Sequence, residues 1–190
     1  MIFMMLGIVS CFFCGEINGL LYNVMPLGMQ DFTVNVTPVV EEIAKAYPIF
    51  LYAFLFKPSK KKIYESAIII GIGFSILENS YMIANNSENV SLMLALVRGF
   101  GAGMMHGITT FAVGFGITFI YTKRKLFIAG SFAMMCVAIT YHSIYNDLVQ
   151  SSYSMAGFIM PVITFIAMMV INKLKKLEIV GKSVSEEMNP

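Results

Sequence analysis

Charged residues are scarce in this sequence of 190 residues, since Asp, Glu, Lys and Arg together make up only 13% of it. An average soluble domain carries about 25%. This scarcity excludes a disordered chain and an ordinary cytosolic enzyme. The net charge of +2 is too small for a nucleic-acid-binding protein, which needs a basic surface. Three cysteines are too few, and odd in number, for a disulfide framework.

Hydrophobic residues make up 57% of the chain, and they are gathered into segments near the length of about 20 residues that crosses a bilayer. The segments are roughly residues 1–21, 38–56, 63–84, 91–122, 126–149 and 155–172. The sequence therefore predicts an all-α, multi-pass protein of the cell membrane with about six transmembrane helices. Residues 1–176 form its single domain, and residues 177–190 form a flexible tail. The fourth segment is longer than one bilayer requires, so we expect it to tilt or project.

Basic residues predict the orientation of these helices. They fall into three groups, which are Lys57 with Lys60, Lys61 and Lys62; Lys123 with Arg124 and Lys125; and Lys173 with Lys175, Lys176 and Lys182. Short connections rich in Lys and Arg stay in the cytoplasm. The connections near Gln30, Asn85 and Gln150 contain neither residue type. Both termini are therefore expected on the cytoplasmic side.

Several ionisable residues lie inside the predicted spans, where one charge costs about 2.5–3.5 kcal/mol and marks a candidate functional site. Glu42, Glu78, His106 and His142 each lie about 15 to 17 residues, or roughly 22–26 Å, from the nearest cytoplasmic basic group. The hydrocarbon core is about 30 Å thick. These four side chains should therefore meet in one layer near the extracytoplasmic face.

Spacing within each helix favours particular partners in this layer. Glu41 and Lys45 are four residues apart and are expected to pair on one helix face. His142 and Asn146 have the same spacing. A stripe of small residues near His106 should let a neighbouring helix approach closely. The stripe consists of Gly99, Gly103 and Gly107.

Glutamates, histidines and an asparagine in one dry layer suit the hydrolysis of a peptide bond. A carboxylate can take a proton from water, and imidazole and carboxamide groups can stabilise the oxyanion that forms. Zinc bound by Glu78, His106 and His142 is an open alternative. A haem held between the two histidines is another, although it leaves the glutamates without a purpose.

Four motifs occur in order on successive spans. They are EExxK over residues 41–45, FxxxEN over residues 74–79, Arg98 with His106-Gly107, and HxxYN over residues 142–146. This order resembles the PrsW-type intramembrane proteases, which are relatives of the CAAX prenyl endopeptidases and of bacteriocin-processing and immunity proteins. The resemblance covers roughly residues 38–149.

The resemblance implies a role for each matching residue. One glutamate of the EE pair activates water, with Glu41 favoured and Glu42 as its support. His106 holds the water or polarises the substrate carbonyl, and His142 and Asn146 form the oxyanion site. The residues expected to support them are Lys45, Glu78, Asn79 and Arg98.

The resemblance also implies a substrate, because the site is expected near the outer face. That substrate is a single-span membrane protein cut near its extracytoplasmic end, such as an anti-sigma factor or a processed peptide precursor. Lys45 replaces an arginine of the CAAX pattern and is expected to hold Glu41. No cofactor is favoured, since the glutamate mechanism needs no metal. A non-catalytic scaffold or immunity protein of the same superfamily is the alternative. We expect the loop over residues 22–37 to pack over the site.

Overall fold

The computed structural model of the chain describes residues 1–85, 92–122 and 124–188. Within these ranges the secondary structure is helical and no strand occurs. The helices are α1 (Ile2–Val24), α2 (Met29–Asn35), α3 (Thr37–Phe56), α4 (Lys60–Asn85), α5 (Leu92–Ile117), α6 (Phe119–Thr122), α7 (Phe127–Gln150) and α8 (Ser154–Met188), with a 3₁₀ turn over Arg124–Leu126. The prediction of an all-α bundle is confirmed.

Five helical segments are long and apolar enough to cross a membrane. They are Ile2–Val24, Lys60–Asn85, Arg98–Tyr121, Phe127–Gln150 and Ser154–Leu174. The chain is therefore a multi-pass membrane protein, as predicted. The second predicted span, α3, is not among the five, and it carries Glu41, Glu42 and Lys45 in its first half.

Helix α3 nevertheless packs as a sixth member of the bundle. It runs antiparallel to α1, since the ring of Phe3 lies 4.8 Å from that of Tyr52 while Cys14 approaches the carbonyl of Val40 at 3.9 Å near the other end. It also contacts α4, α5 and α7. The charged side chains of α3 therefore face the interior of the bundle, where other helices can offer them partners.

A proline within α3 explains one contact between α3 and α1. Pro48 has no N–H to bond the carbonyl of Ala44, four residues earlier. The hydroxyl of Ser10 on α1 donates to that carbonyl at 3.4 Å. Because a backbone group without a partner is costly in an apolar medium, this contact helps to hold α1 against α3.

Long helices that follow one another in the chain alternate in direction. Helices α4 and α5 meet at Ala67 and Gly114 near one end and at Asn79 and Arg98 near the other. Helices α7 and α8 meet at Val149 and Gly157 near one end and at Tyr141 and Thr164 further along. Because six long helices alternate in direction, the start of α1 and the end of α8 lie on the same side of the bundle as the basic connections. That this side is cytoplasmic stays a prediction.

Two segments end differently from their predicted bounds. The long fourth segment is divided, because α5 stops at Ile117 and α6 starts at Phe119. Between them, the hydroxyl of Thr118 donates to the carbonyl of Phe115 at 2.8 Å, which gives the backbone a local alternative to the helix. Helix α8 passes the predicted boundary at residue 177 and ends at Met188, so the tail begins as helix and its flexibility stays a prediction.

A different glycine from those predicted brings α4 and α5 together. A Cβ atom at Gly71 would lie 2.4 Å from the carbonyl oxygen of His106, whereas Gly99 has no neighbouring atom within 4 Å. Gly103 and Gly107 have their nearest neighbours at 3.4 and 4.0 Å. The expectation that the stripe of three glycines permits the close approach is wrong, and Gly71 permits it instead.

The polar layer lies between two apolar clusters. On the side of the basic connections the cluster includes Ile49 of α3, Ile63 of α4 and Val113 of α5. On the other side it includes Met105 of α5 and Tyr145 of α7. His106 and His142 fall between these clusters along their helices, so apolar residues flank this part of the layer on both sides.

Candidate active site

Helix α3 places its charged residues on an inward face. Glu42, Lys45 and Ile49 are each 0% exposed, and Glu41 is 6% exposed. The first three follow the spacing i, i+3, i+7, which aligns side chains on one face of a helix. Glu41 lies about 100° around the helix from Glu42, so the two carboxylates point toward different neighbours.

Lys45 joins α3 to α5. Its Nζ atom donates to Glu42 Oε1 at 2.6 Å and to His106 Nδ1 at 2.8 Å, and it lies 4.9 Å from the centre of the Phe74 ring. The sequence-based expectation that Lys45 pairs with Glu41 is wrong. Lys45 pairs with Glu42, three residues earlier, because both side chains are on the face of α3 that packs toward His106 of α5. Such bonds offset the cost of burying an ammonium group.

His142 of α7 is held by the same carboxylate. Its Nδ1 lies 2.8 Å from Glu42 Oε1, and a carboxylate oxygen can only accept, so Nδ1–H donates. Glu42 Oε1 therefore holds both Lys45 and His142. In the neutral ring this arrangement leaves Nε2 of His142 as an acceptor, directed toward Glu41 Oε2 at 3.8 Å.

Glu41 is the free carboxylate of the site. Its Oε2 atom is buried without a hydrogen-bond partner, and the 3.8 Å to His142 Nε2 exceeds hydrogen-bond length. Glu42 Oε2 is also without a partner, but the other oxygen of Glu42 accepts two bonds. The structure thus distinguishes an engaged glutamate from one that is available to a reacting molecule.

A third carboxylate, Glu78 on α4, completes the network. Glu78 Oε2 lies 2.6 Å from His106 Nε2. Since Lys45 donates to Nδ1 of this ring, the neutral His106 carries its proton on Nε2 and donates it to Glu78. Both nitrogens of His106 are therefore engaged, and the ring is fixed between Lys45 and Glu78.

Arg98 ends the network at the outer edge. It lies 3.6 Å from Glu78, donates from Nε to Asn79 Oδ1 at 3.1 Å, and also contacts the sulfur of Met82. The side chains of Arg98 and Glu78 are 19% and 26% exposed, in contrast to the buried groups further in. The predicted supporting residues therefore form a continuous chain of contacts with the predicted catalytic ones.

Asn146 is the predicted site residue that the structure places outside this network. Its Nδ2 atom donates to the backbone carbonyl of Thr33 on α2 at 3.0 Å. The loop over residues 22–37 therefore contains a short helix that packs on α7 and α3, with Phe32 buried at 3% exposure. The expected oxyanion donor is occupied by the chain itself.

The sequence analysis gave no role in the site to three residues that shape it. Gly71 sets the approach of α4 to the backbone at His106. Thr33 and Gln150 bind each other across α2 and α7 at 3.0 Å. The signals were present but weak: Gly71 opens the FxxxEN segment, and Gln150 lies one helical turn beyond Asn146.

The residues present fit a zinc ion, although with a different carboxylate from the one expected. Glu41, His106 and His142 each offer one ligand atom, and these atoms all lie within 4.8 Å of one another. Glu41 thus takes the place that the sequence-based alternative gave to Glu78. The donor set is a known one for zinc, and a carboxylate on the far nitrogen of His142 is typical of metal ligands. The ammonium of Lys45 on His106 opposes a second cation.

A haem between the two histidines has no support from the geometry. The ring centroids of His106 and His142 are 5.0 Å apart, and the rings meet edge to face at 86°. Rings in direct contact leave no space for a porphyrin plane between them.

Comparison with known proteins assigns a family. A model of the family described as PrsW family intramembrane metalloprotease matches residues 1–172. No curated protein and no solved structure matches the chain. The match includes every helix that contributes to the polar network. It does not extend to the CAAX prenyl endopeptidases, so that kinship rests on the motifs alone.

Proposed function

Since the chain belongs to the PrsW family of intramembrane metalloproteases, we propose that it hydrolyses a peptide bond of a membrane-associated protein with water activated by Glu41. The observation that carries this proposal is the Oε2 atom of Glu41, which is buried and has no hydrogen-bond partner among the described residues. A general base must be within reach of the proton it abstracts. Glu42 is less suited to this role because Lys45 and His142 occupy its Oε1.

His142 completes the site for the attacking water. Its Nε2 and Glu41 Oε2, which lie 3.8 Å apart, can accept both protons of one water molecule. The water oxygen then forms a bond to the carbonyl carbon, Glu41 takes one proton, and the C–N bond breaks as that proton passes to the leaving amine. This changes the role of His142 from the expected oxyanion donor to a holder of water.

His106 is assigned to the substrate carbonyl. Its Nε2–H donates to Glu78 in the absence of substrate. A substrate carbonyl that replaces Glu78 at this donor is polarised and, as charge develops on its oxygen, is stabilised more strongly. Lys45 fixes the ring through Nδ1, so we assign Lys45 and Glu42 as positioning residues.

A zinc-dependent form of the same peptidase is the second candidate, and the cluster of Glu41, His106 and His142 favours it. Zinc in such a set supplies a Lewis acid and a nucleophilic hydroxide at neutral pH. In that case Glu42 orients the His142 ring through Nδ1, the nitrogen that it already contacts. The positive charge of Lys45 beside His106 is the reason that we prefer the form without metal.

The proposed substrate is a single-span membrane protein, such as an anti-sigma factor or a peptide precursor, cut near its extracytoplasmic end. Two features support this choice. The polar layer lies beyond the middle of the helices, counted from the basic connections, and the outer edge at Glu78 and Arg98 is partly exposed. A non-catalytic scaffold is the alternative, and it requires no free carboxylate.

A cleavage assay with model substrates tests the proposal. Each substrate consists of one apolar helix and an extended outer segment of randomised sequence between a fluorophore and a quencher, reconstituted with the protein in liposomes. We expect release by the wild type, none by Glu41→Gln, and unchanged release by the control Glu16→Gln, whose side chain is exposed on α1. Full release by Glu41→Gln refutes the glutamate mechanism. No release by the wild type favours the scaffold.

A further inference from the structure

The outer end of α7 carries a donor and an acceptor that both face α2. Asn146 Nδ2 donates to the carbonyl of Thr33 at 3.0 Å, and Gln150 Oε1 accepts from the hydroxyl of Thr33 at 3.0 Å. The amide of Gln150 is fixed, because its Nε2 donates to the backbone carbonyl of Asn146 at 3.0 Å. Asn146 and Gln150 are one helical turn apart, so they present a donor and an acceptor side by side.

This pair matches the backbone of an extended peptide. In an extended chain, the N–H and C=O of one residue point to the same side and are exchanged with a partner as two hydrogen bonds. Asn146 can donate to such a carbonyl, and Gln150 can accept from such an N–H. The carbonyl and the hydroxyl of Thr33 make the same two hydrogen bonds that the C=O and N–H of a peptide residue would make.

Thr33 is able to do this because of its place in α2. It lies in the last turn of a seven-residue helix, where carbonyl groups have no partner within the helix. Its hydroxyl also lies 2.9 Å from the carbonyl of Gln30, so one proton is shared between Gln30 and Gln150. The bond to Gln150 is therefore a weak one, and another chain can replace the polar contacts that Thr33 makes with α7.

We infer that Asn146 and Gln150 form a subsite for the backbone of an extended substrate, and that α2 occupies this subsite until substrate displaces it. The inference rests on the proposed peptidase function and adds to it a binding residue, Gln150, and a resident competitor, Thr33. The subsite lies about one to two helical turns beyond His142 on the same helix. A substrate bound there continues inward to Glu41.

Competition by α2 has a measurable consequence. The apparent affinity for substrate equals the intrinsic affinity multiplied by the fraction of molecules in which the subsite is free. Occupation of the subsite by α2 therefore lowers the apparent affinity. Thr33→Val keeps the size of the side chain and removes its hydroxyl, and with it the bonds to Gln150 and to the carbonyl of Gln30. Because one hydrogen bond contributes a net factor of roughly 2 to 10 in an equilibrium, we expect kcat/KM to rise by about that factor, through KM.

Two further variants separate competition from a general loosening of the fold. Gln30→Ala is the matched control, since Gln30 is exposed on the same short helix, and it should leave kcat/KM unchanged. Gln150→Ala introduced into the Thr33→Val protein should lower kcat/KM, because the lost contact then belongs to the substrate alone. An unchanged or lower kcat/KM in Thr33→Val, or no loss from the added Gln150→Ala, overturns the inference.

Hydrogen–deuterium exchange of α2 gives a readout that needs no cleavage. In the Glu41→Gln protein, the amides of residues 29–35 should exchange faster when the model substrates are added, and Thr33→Val should raise their exchange without substrate. Unchanged or slower exchange with substrate shows that α2 closes over the chain and overturns displacement. If the wild type cleaves no model substrate, the peptidase proposal fails, whereas faster exchange in Thr33→Val still supports a replaceable α2.

Discussion

The two adjacent glutamates of α3 should respond in opposite ways to the loss of their charge. Glu41 Oε2 has no hydrogen-bond partner among the described residues, whereas Glu42 Oε1 accepts from Lys45 at 2.6 Å and from His142 at 2.8 Å. Substitution by Gln preserves the shape of each side chain. We therefore expect Glu41→Gln to abolish activity without loss of stability, and Glu42→Gln to destabilise the protein.

The contacts give the size of each effect. Glu42→Gln leaves the ammonium of Lys45 buried without its carboxylate, and breaking a buried ion pair costs about 3–5 kcal/mol. For a domain of this size that corresponds to a fall in Tm of roughly 6–20 °C, at about 2–4 °C per kcal/mol. Glu41→Gln removes a buried group that has no partner, so its Tm should be unchanged or higher. Loss of a general base lowers kcat by about 10²–10⁴-fold.

Thermal unfolding in detergent, followed by circular dichroism because the chain has no tryptophan, measures stability in parallel with liposome cleavage. Glu16→Gln is the control in both assays. The reasoning is refuted if Glu42→Gln loses all activity at wild-type stability while Glu41→Gln keeps it, because Glu42 is then the base. Equal destabilisation by both variants contradicts the distinction between a free and an engaged carboxylate.

The remaining predictions concern the metal, the helix packing and the membrane orientation. A zinc chelator should leave cleavage intact and elemental analysis should find no stoichiometric zinc, whereas inhibition reversed by added Zn²⁺ moves the assignment to the metal-dependent form. Gly71→Ala should destabilise the bundle by about 1–3 kcal/mol, since the new Cβ meets a carbonyl of α5 at 2.4 Å. Gly99→Ala is the control, because Gly99 faces open space. Equal destabilisation by the two variants contradicts the packing argument. In a cysteine-free background, the single substitutions Asn85→Cys and Gln150→Cys should react with an impermeant maleimide outside intact cells, and Ser59→Cys should not. The opposite pattern inverts the orientation and turns the site toward the cytoplasm.

The long helices and their approximate bounds could be predicted from the sequence because apolar length and terminal charge are local properties. The third predicted span, residues 63–84, became a helix over Lys60–Asn85 that differs only in its ends. The division of the fourth segment at Thr118 was not predictable in this way, because it depends on a hydroxyl that competes for a backbone carbonyl. Such local competition leaves no mark on hydropathy.

The membership of the polar cluster was also accessible from the sequence, whereas the pairing within it was not. Spacing allowed Lys45 to reach either Glu41 or Glu42 along α3, and the choice depends on the positions of His106 and His142 on other helices. The same holds for Asn146, which shares a helix face with His142 but is bound by α2. Helix periodicity fixes which residues share a face, and only tertiary packing fixes what that face meets.

The groups that lack a protein partner in this layer are the ones that point to chemistry. In an apolar interior, an unpaired polar atom is costly, and the cation and both imidazoles of the cluster have partners: Lys45 with Glu42, His106 with Glu78, and His142 with Glu42. Structural packing alone gives no reason to bury Glu41 beside them without a hydrogen bond. Its cost is explained if water completes the site, and α2, whose polar contacts at Thr33 can be replaced, is the element whose proposed displacement admits substrate to that water.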